Sequence, residues 1–411
     1  MTIPIAKPFL GKEEALAASR AILSGWVTQG PRVEEFEDAF ASYVGSKYAC
    51  AVSSCTTALH IALLTVGVKP GDVVITVSHS FIATANSVRY CDAEPVFVDI
   101  DPYTFNMSAQ SLEKCLTKDC VSRGGKLYYK SVSKLVSKES PLTYLSNSKA
   151  MGRVAAIIPV HQMGMPCSLD VILSLARKFN IPVVEDAACA IGSEMMISGR
   201  REMVGSPRGD IACFSFHPRK VVTTGDGGML VTANARYDRR FRLLRQHGMN
   251  VSDRVRHSAK KLTLETYQCT AFNYRMTDIQ AAVGIEQLKK AAKMIRRRRR
   301  LASVYKEELS GIEWLRLPVE PNYCKSNWQS YPVTILDNSP RSRDRLMQYL
   351  LDNGVSTRRG IMNAHEEPPY RGHGEDLKFS EKAKRHTILL PLFHELRKAD
   401  IKKIARLIKH A

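Results

Sequence analysis

The sequence predicts an α/β protein with a mostly parallel sheet of about seven strands, followed by a smaller α+β region. Three observations support this fold class. Short apolar runs alternate with amphipathic segments from residue 48 to residue 232. The alternation stops near residue 250, where a long helical pattern takes over. The length of 411 residues suits two domains. We therefore predict a large domain at 1–250 and a small domain at 251–411.

An N-terminal arm of about 30 residues, which carries the first predicted helix, precedes the alternating elements of the large domain. Because strands joined by helical crossovers run parallel, both faces of the sheet are covered and ligands bind beyond the carboxyl ends of the strands. The predicted strands are 48–53, 72–77, 95–99, 154–160, 181–185, 211–216 and 229–232, and the predicted helices are 11–23, 33–43, 56–66, 81–90 and 169–179.

One segment interrupts this alternation. Residues 117–150 are polar and basic and have no clear period, which predicts an inserted surface excursion. The C-terminal region predicts one long helix or two at 277–305, a strand at 331–335, and helices at 343–353 and 398–409.

The charge of the chain is strongly basic. With 60 basic and 40 acidic residues, the formal net charge is +20. Such a balance suits nucleic acid or an anionic small substrate, and solvated helix faces explain much of it, since the basic residues cluster at 118–149, 236–245 and 296–300. Neither zinc-finger spacing nor an RNA-binding signature occurs, so we predict an anionic small substrate and no nucleic acid.

Cysteine usage and hydropathy bear on localisation. The sequence contains no apolar run of about 18 residues and begins without the apolar core of a signal peptide. The ten cysteines form no CxxC pair, and several, such as Cys50, Cys91 and Cys213, lie in apolar runs. This pattern predicts reduced, buried thiols in a cytoplasmic protein, with neither a disulfide frame nor a metal site.

Lys220 lies in the stretch around which the chemistry is organised. It follows the predicted strand 211–216 and Pro218, and a glycine-rich turn separates it from the next strand. Such a lysine is either a solvated loop residue or an amine in a dry cleft. In a cleft, desolvation disfavours its charge and it can form a Schiff base with a carbonyl.

Three further features lie at strand ends on the same side of the predicted sheet. The hydroxyl-rich segment 53–57 opens a helix, as a cap or as a phosphate site. Asp186 follows an apolar strand, either as a cap or as the partner of a protonated pyridine nitrogen. Phe81 is either core or a stacking face. Together with Lys220 they supply the four groups that pyridoxal 5′-phosphate (PLP) needs, and we predict that cofactor.

Six motifs are distributed over the chain: GWVTQGPRVEEFE at 25–37, SSCTTALH at 53–60, FVDID at 97–101, EDAA at 185–188, FSFHPRK at 214–220 and NYRMTDIQAA at 273–282. These motifs resemble those of the DegT/DnrJ/StrS-type family of PLP-dependent sugar aminotransferases. The resemblance covers roughly residues 3–370 and implies a fold type I PLP-dependent transferase whose active site is shared by two subunits.

The resemblance assigns roles position by position. It implies that Lys220 forms the imine with the cofactor and that Asp186 binds the pyridine nitrogen. It also implies phosphate contacts for Thr56, Thr57 and Ser215.

Phe81 matches the family's stacking aromatic residue, and Asn273 matches a residue that reaches the phosphate of the neighbouring subunit, with a helix cap as the alternative. Two positions depart from the family pattern. Cys55 replaces a common glycine, and Cys189 stands where Gln or His is usual. Because a thiol is a weak donor, Cys189 weakens the expected hydrogen bond to the cofactor's ring oxygen.

The activity implied by the resemblance is amino transfer from an amino acid, glutamate first, to a nucleotide-linked keto-sugar, by a cytoplasmic homodimer. A sugar dehydratase of the same family is an alternative, but those enzymes carry His in place of Lys220. A cyclitol aminotransferase and a non-enzymatic nucleic-acid or regulatory binding protein are further alternatives. Arg and His side chains at 358–365 are candidates for the substrate site or for a solvated loop.

Overall fold

The chain forms a central sheet surrounded by helices. The computed structural model describes residues 2–146, 149–206, 208–251, 264–372 and 376–411. The strands are β1 (Tyr48–Val52), β2 (Val73–Val77), β3 (Glu94–Val98), β4 (Cys120–Arg123), β5 (Lys126–Tyr129), β6 (Gly152–Ile158), β7 (Val184–Asp186), β8 (Glu194–Ile197), β9 (Arg200–Met203), β10 (Ile211–Ser215), β11 (Gly228–Thr232), β12 (Leu315–Arg316), β13 (Cys324–Lys325), β14 (Tyr331–Ile335), β15 (Arg358–Arg359) and β16 (Thr387–Leu390). The α-helices are α1 (Lys12–Leu23), α2 (Pro31–Val44), α3 (Cys55–Thr65), α4 (Ala83–Arg89), α5 (Ala109–Lys114), α6 (Leu169–Lys178), α7 (Ala235–Leu244), α8 (Asp278–Leu309), α9 (Arg343–Asp352), α10 (Lys378–His386) and α11 (Lys398–Lys409).

Seven strands make up the central sheet in the order β1-β11-β10-β7-β6-β2-β3. Parallel pairs join β7 to β10, β6 to β2 and β2 to β3. Two parallel bridges, Ile157 to Val183 and Val160 to Asp186, connect β6 to β7. Of these seven strands, β11 alone runs opposite to the other six. The mostly parallel sheet of about seven strands is therefore confirmed, and the carboxyl ends of β1, β2, β7 and β10 meet at one edge.

Helices cover both faces of this sheet. Alternate residues of a strand enter opposite clusters of buried side chains, as Phe214 does on one face and Cys213 on the other. On the first face, Phe40 of α2 packs edge-on against Phe214 with 5.0 Å between ring centroids. The second face is covered by α3 and α7, which contribute Leu59 and Phe241.

A separate cluster of buried side chains lies around the antiparallel sheet β12-β14-β16-β15. The long helical pattern proves to be a single helix, α8, which contributes Ala291 to the first cluster and Tyr305 to this one. Since one helix serves both clusters, the predicted division into 1–250 and 251–411 stays a prediction, and 252–263 lie outside the described residues.

The segment 117–150 is more than the predicted surface excursion. Strands β4 and β5 form a hairpin, and β5 pairs antiparallel with the start of β6. Leu127, Val132 and Leu142 enter the first buried cluster. Their apolar side chains are irregularly spaced among lysines and serines, so the sequence pattern did not predict this packing.

Among the helices of the described ranges, none is both long enough and apolar enough to span a membrane. All ten cysteines are unpaired.

Candidate active site

Lys220 lies on the turn between β10 and β11, at the carboxyl edge of the sheet. The Lys220 N–H donates to the His217 carbonyl (2.8 Å), and the Thr223 hydroxyl donates to the Phe216 carbonyl (2.7 Å). The side chain is partly buried, and Nζ lies 3.0 Å from Sγ of Cys189. This contact turns the amine toward the end of β7 and away from bulk solvent, unlike a solvated loop lysine.

The surroundings of this amine favour its charged form. Burial disfavours the ammonium. Its neighbours favour it, Cys189 most strongly and then Cys55 and Asp186, and their effect outweighs burial, so the pKa of Lys220 is raised above its ordinary value. The prediction that the charge of Lys220 is disfavoured is therefore wrong. Burial alone does disfavour the charge, as predicted, but the combined effect of burial and neighbouring groups favours it. The amine must lose a proton before it can attack a carbonyl.

Asp186 is the last residue of β7 and is only 5% exposed. Its Oδ2 accepts a hydrogen bond from the Thr84 hydroxyl (2.8 Å), and its Oδ1 accepts one from the Ala188 N–H (3.1 Å). Its own N–H donates to the Pro159 carbonyl at 2.9 Å, which joins it to the end of β6. The carboxylate is thus fixed at the sheet edge by two donors, which compensate its burial.

Phe81 lies just before α4 and Thr84 lies in its first turn, and the Thr84 N–H donates to the Phe81 carbonyl (3.1 Å). Phe81 is 69% exposed, so the core alternative is wrong, and the stacking role stays a prediction. The hydroxyl groups of Thr84 and Ser80 lie 2.8 Å apart, so Thr84 is itself fixed. Sequence reasoning missed Thr84, which lies 102 residues from Asp186 along the chain.

The predicted phosphate residues meet where α3 begins beside β11. We call the contact of Ser54 and Cys55 with Gly228 the α3–β11 junction. A Cβ at Gly228 would lie 2.4 Å from the Ser54 carbonyl group and 2.6 Å from the Cys55 nitrogen, so only glycine allows this approach. Ser215 is paired with Gly228 across β10 and β11.

The first turn of α3 carries Thr56 and Thr57. The Ser54 hydroxyl caps the helix by accepting from the Thr57 N–H (3.2 Å), and the Thr57 hydroxyl donates to the Ser54 carbonyl (2.8 Å). The cap alternative is therefore confirmed. The phosphate site stays a prediction, which is compatible with the cap because a capped helix N-terminus also directs N–H groups toward an anion.

Asn273 precedes α8 on a segment that docks at the end of β1. The Ser53 N–H donates to the Tyr274 carbonyl at 2.8 Å, which places Asn273 next to the α3–β11 junction. The Asn273 side chain is exposed and accepts from Nε of Arg275 (3.1 Å). The helix-cap alternative is wrong, because Thr277 caps α8 by accepting from the Gln280 N–H.

A loop between β13 and β14 fixes the backbone on both sides of the Cys189–Lys220 contact. Asn327 donates from Nδ2 to the Cys189 carbonyl at 2.8 Å. Gln329 accepts from the Val221 N–H at 3.0 Å and donates to the Arg219 carbonyl, so it holds both neighbours of Lys220. Sequence reasoning missed Asn327 and Gln329, which lie more than 100 residues from their partners.

These residues fit PLP. At the α3–β11 junction the first turn of α3 lies against Gly228, where any side chain would clash with the backbone of Ser54 and Cys55, and a helix N-terminus supplies N–H groups for a phosphate. Lys220 offers an amine for the aldehyde, and Asp186 offers a fixed carboxylate for the ring nitrogen. Within the described ranges, no group of three or more His, Cys, Asp or Glu side chains is placed to hold a metal ion.

Comparison with known proteins shows the family of the chain. The chain matches the DegT/DnrJ/EryC1/StrS aminotransferase family over residues 8–409, and it belongs to that family. GDP-perosamine synthase from Caulobacter vibrioides is 34% identical over 408 residues, which cover 98% of this chain and 96% of that protein. Spore coat polysaccharide biosynthesis protein SpsC from Bacillus subtilis is 30% identical over 413 residues, which cover 99% and 96%. The crystal structure of the aminotransferase TlmJ from Streptoalloteichus hindustanus matches with a TM-score of 0.81 and 29% identity, covering 99% of this chain and 98% of that one.

Family membership defines the class of enzyme. Aminotransferases of this family depend on PLP, so the predicted cofactor, the predicted sugar aminotransferase activity and the predicted fold type I architecture are confirmed. The amino donor, the homodimer and the cytoplasmic location stay predictions. The role of each site residue stays a prediction.

Proposed function

We propose that this chain moves an amino group from an amino acid, glutamate first, to a keto-sugar linked to a nucleoside diphosphate, as a homodimer in the cytoplasm. The observation that carries the proposal is that Lys220, Asp186 and the α3–β11 junction lie at one edge of the sheet. The related proteins add support, since one is a GDP-perosamine synthase and another serves polysaccharide biosynthesis.

Asp186, Lys220 and the first turn of α3 each have a separate role in the proposed reaction. PLP, when bound, supplies an aldehyde carbon and a pyridine ring that accepts electrons. Asp186, fixed by Thr84 and Ala188, keeps the ring nitrogen protonated. Lys220, once released, is placed to remove a proton from Cα of the amino donor and to return it as an acid. The first turn of α3 holds the phosphate through its N–H groups.

The substrate class follows from charge. The chain carries a net charge of +20, and a basic surface raises the local concentration of anionic substrates such as nucleoside diphosphate sugars. The dehydratase alternative is disfavoured by Lys220 itself, because those relatives need His there. A neutral cyclitol ketone gains nothing from this charge.

The homodimer is supported by the exposed groups near Asn273. Leu264 is 73% and Tyr267 is 63% exposed, and both precede Asn273 on the same segment. A mixture of the Lys220→Ala and Asn273→Ala chains tests the sharing of sites. Random reassortment puts one intact site into half of the dimers, so activity should recover to about a quarter of wild type. Activity equal to the average of the two parent dimers would exclude a shared site.

The substrate proposal is tested by incubating the purified chain with glutamate and a panel of keto-sugars on guanosine and thymidine diphosphates. Mass spectrometry should detect a product in which an amine replaces the ketone oxygen, and the Lys220→Ala variant should form none. A deoxygenated product would identify a dehydratase. Amination of a cyclitol ketone, with every nucleotide sugar unchanged, would overturn the substrate class.

A further inference from the structure

Cys189 and Lys220 form a pair at contact distance. Their Sγ and Nζ atoms lie 3.0 Å apart, within the separation of about 3–3.5 Å that characterises reacting atoms before bond formation. The backbone is fixed at both ends, since Asn327 binds the Cys189 carbonyl and Gln329 binds both neighbours of Lys220. The sulfur and the nitrogen therefore stay opposed without rearrangement of the fold.

Cys189 also differs from most other thiols of the chain in accessibility. Eight of the ten cysteines are buried, whereas Cys189 and Cys269 are partly exposed. Cys269 is 4.0 Å from a nitrogen of Arg240, which is a guanidinium and a poor nucleophile. A small oxidant that enters the site therefore meets a thiol that has an amine beside it, and Cys269 provides a comparison thiol that, among the described residues, contacts a guanidinium instead.

We propose that Cys189 and Lys220 are a redox switch that controls cofactor loading: in the cofactor-free chain, a peroxide couples the sulfur to the nitrogen and blocks attachment of PLP. The proposal rests on the proposed role of Lys220 as the residue that binds the cofactor. Because bound PLP occupies the nitrogen of Lys220, the loaded enzyme cannot form the S–N bond. Oxidation therefore acts on newly made or unloaded chains.

The chemistry proceeds in two balanced steps. Hydrogen peroxide oxidises the thiol by two electrons to a sulfenic acid, and the peroxide is reduced to water. The neutral Lys220 amine then attacks the sulfur, the S–O bond breaks, and the oxygen leaves as water with a proton from the nitrogen. Two equivalents of a small thiol reverse the change by reducing the S–N bond to the free thiol and amine while they form a disulfide.

The test compares the full chain with and without PLP after exposure to hydrogen peroxide and its removal. In the cofactor-free chain, mass spectrometry should find a loss of about 2 Da and a cross-linked pair of peptides containing residues 189 and 220. PLP added afterwards should fail to develop its visible absorbance until a reducing thiol is supplied. The PLP-loaded chain should keep its absorbance and form no cross-link between these two peptides.

Two variants serve as controls. Cys189→Gln should load PLP equally before and after peroxide, whereas Cys269→Ser should respond to peroxide as wild type does. The proposal is overturned if Cys189 gains oxygen, about 16 Da for each atom, with no cross-link to Lys220. It is also overturned if Cys189→Gln loses PLP loading after peroxide. Failure of the proposed function is recognised separately, because PLP would then not attach to Lys220 even in untreated protein.

Discussion

Gly228→Ala perturbs the α3–β11 junction most directly. The new methyl group would lie 2.4 Å from the Ser54 carbonyl carbon and oxygen and 2.6 Å from the Cys55 nitrogen, all of them backbone atoms. Non-bonded carbon atoms need about 3.5–4.0 Å, so β11 and the start of α3 must separate by about 1 Å. Overpacking of this kind costs about 1–3 kcal/mol. If PLP binding restores the original approach, that cost weakens binding roughly 5- to 150-fold, since about 1.4 kcal/mol is a factor of ten.

The assay is equilibrium binding of PLP followed by its visible absorbance, together with circular dichroism to show that the variant is folded. Gly225→Ala is the matched control in the same turn. Gly225 has φ +86°, and no atom lies within 4 Å of the position that a Cβ would take, so alanine there costs about 1–2 kcal/mol of backbone strain without touching α3. A folded Gly228→Ala chain that binds PLP as tightly as wild type would refute the phosphate site. Equal weakening by Gly225→Ala would refute the steric argument.

Two further predictions concern Asp186 and Lys220. Thr84→Val removes a hydrogen-bond donor from the buried Asp186 carboxylate and should lower the free energy of unfolding of the cofactor-free chain in urea by about 1.5–3 kcal/mol. Thr84→Ser keeps the hydroxyl and should retain the stability of wild type. Equal stability of the two variants would contradict the role of the hydroxyl. The pKa of Lys220 is raised because Cys189 most strongly, and then Cys55 and Asp186, outweigh burial. The fraction of Lys220 that is neutral therefore increases with pH over the whole accessible range. The rate of PLP attachment should therefore rise about tenfold per unit between about pH 7 and pH 9, and a rate that levels off below this range would indicate a lowered pKa.

Most of the central sheet could be predicted because its strands are continuous apolar runs bounded by turns. The missed strands β4 and β5 have the opposite character. Their residues are half polar, and their stability depends on pairing with β6 and on scattered apolar contacts. The short strands β8 and β9 were missed for the same reason, since pairing of this kind leaves no periodicity in the sequence.

The site divides in a similar way. Lys220 and Asp186 could be predicted because parallel strands bring their carboxyl ends together, so residues far apart in sequence converge. Asn327 and Gln329 could not be predicted, because their role depends on how a distant loop crosses the sheet edge. The direction of the Lys220 pKa shift could not be predicted either, because burial and the neighbouring groups shift the pKa in opposite directions.

The central claim is that Lys220 is the residue to which PLP is covalently attached, and one measurement tests it directly. The PLP-loaded chain is reduced with borohydride, digested and sequenced by mass spectrometry. We expect the pyridoxyl group on the peptide that contains Lys220 and on no other lysine. A pyridoxyl group on another lysine, with Lys220 unmodified, would contradict this assignment.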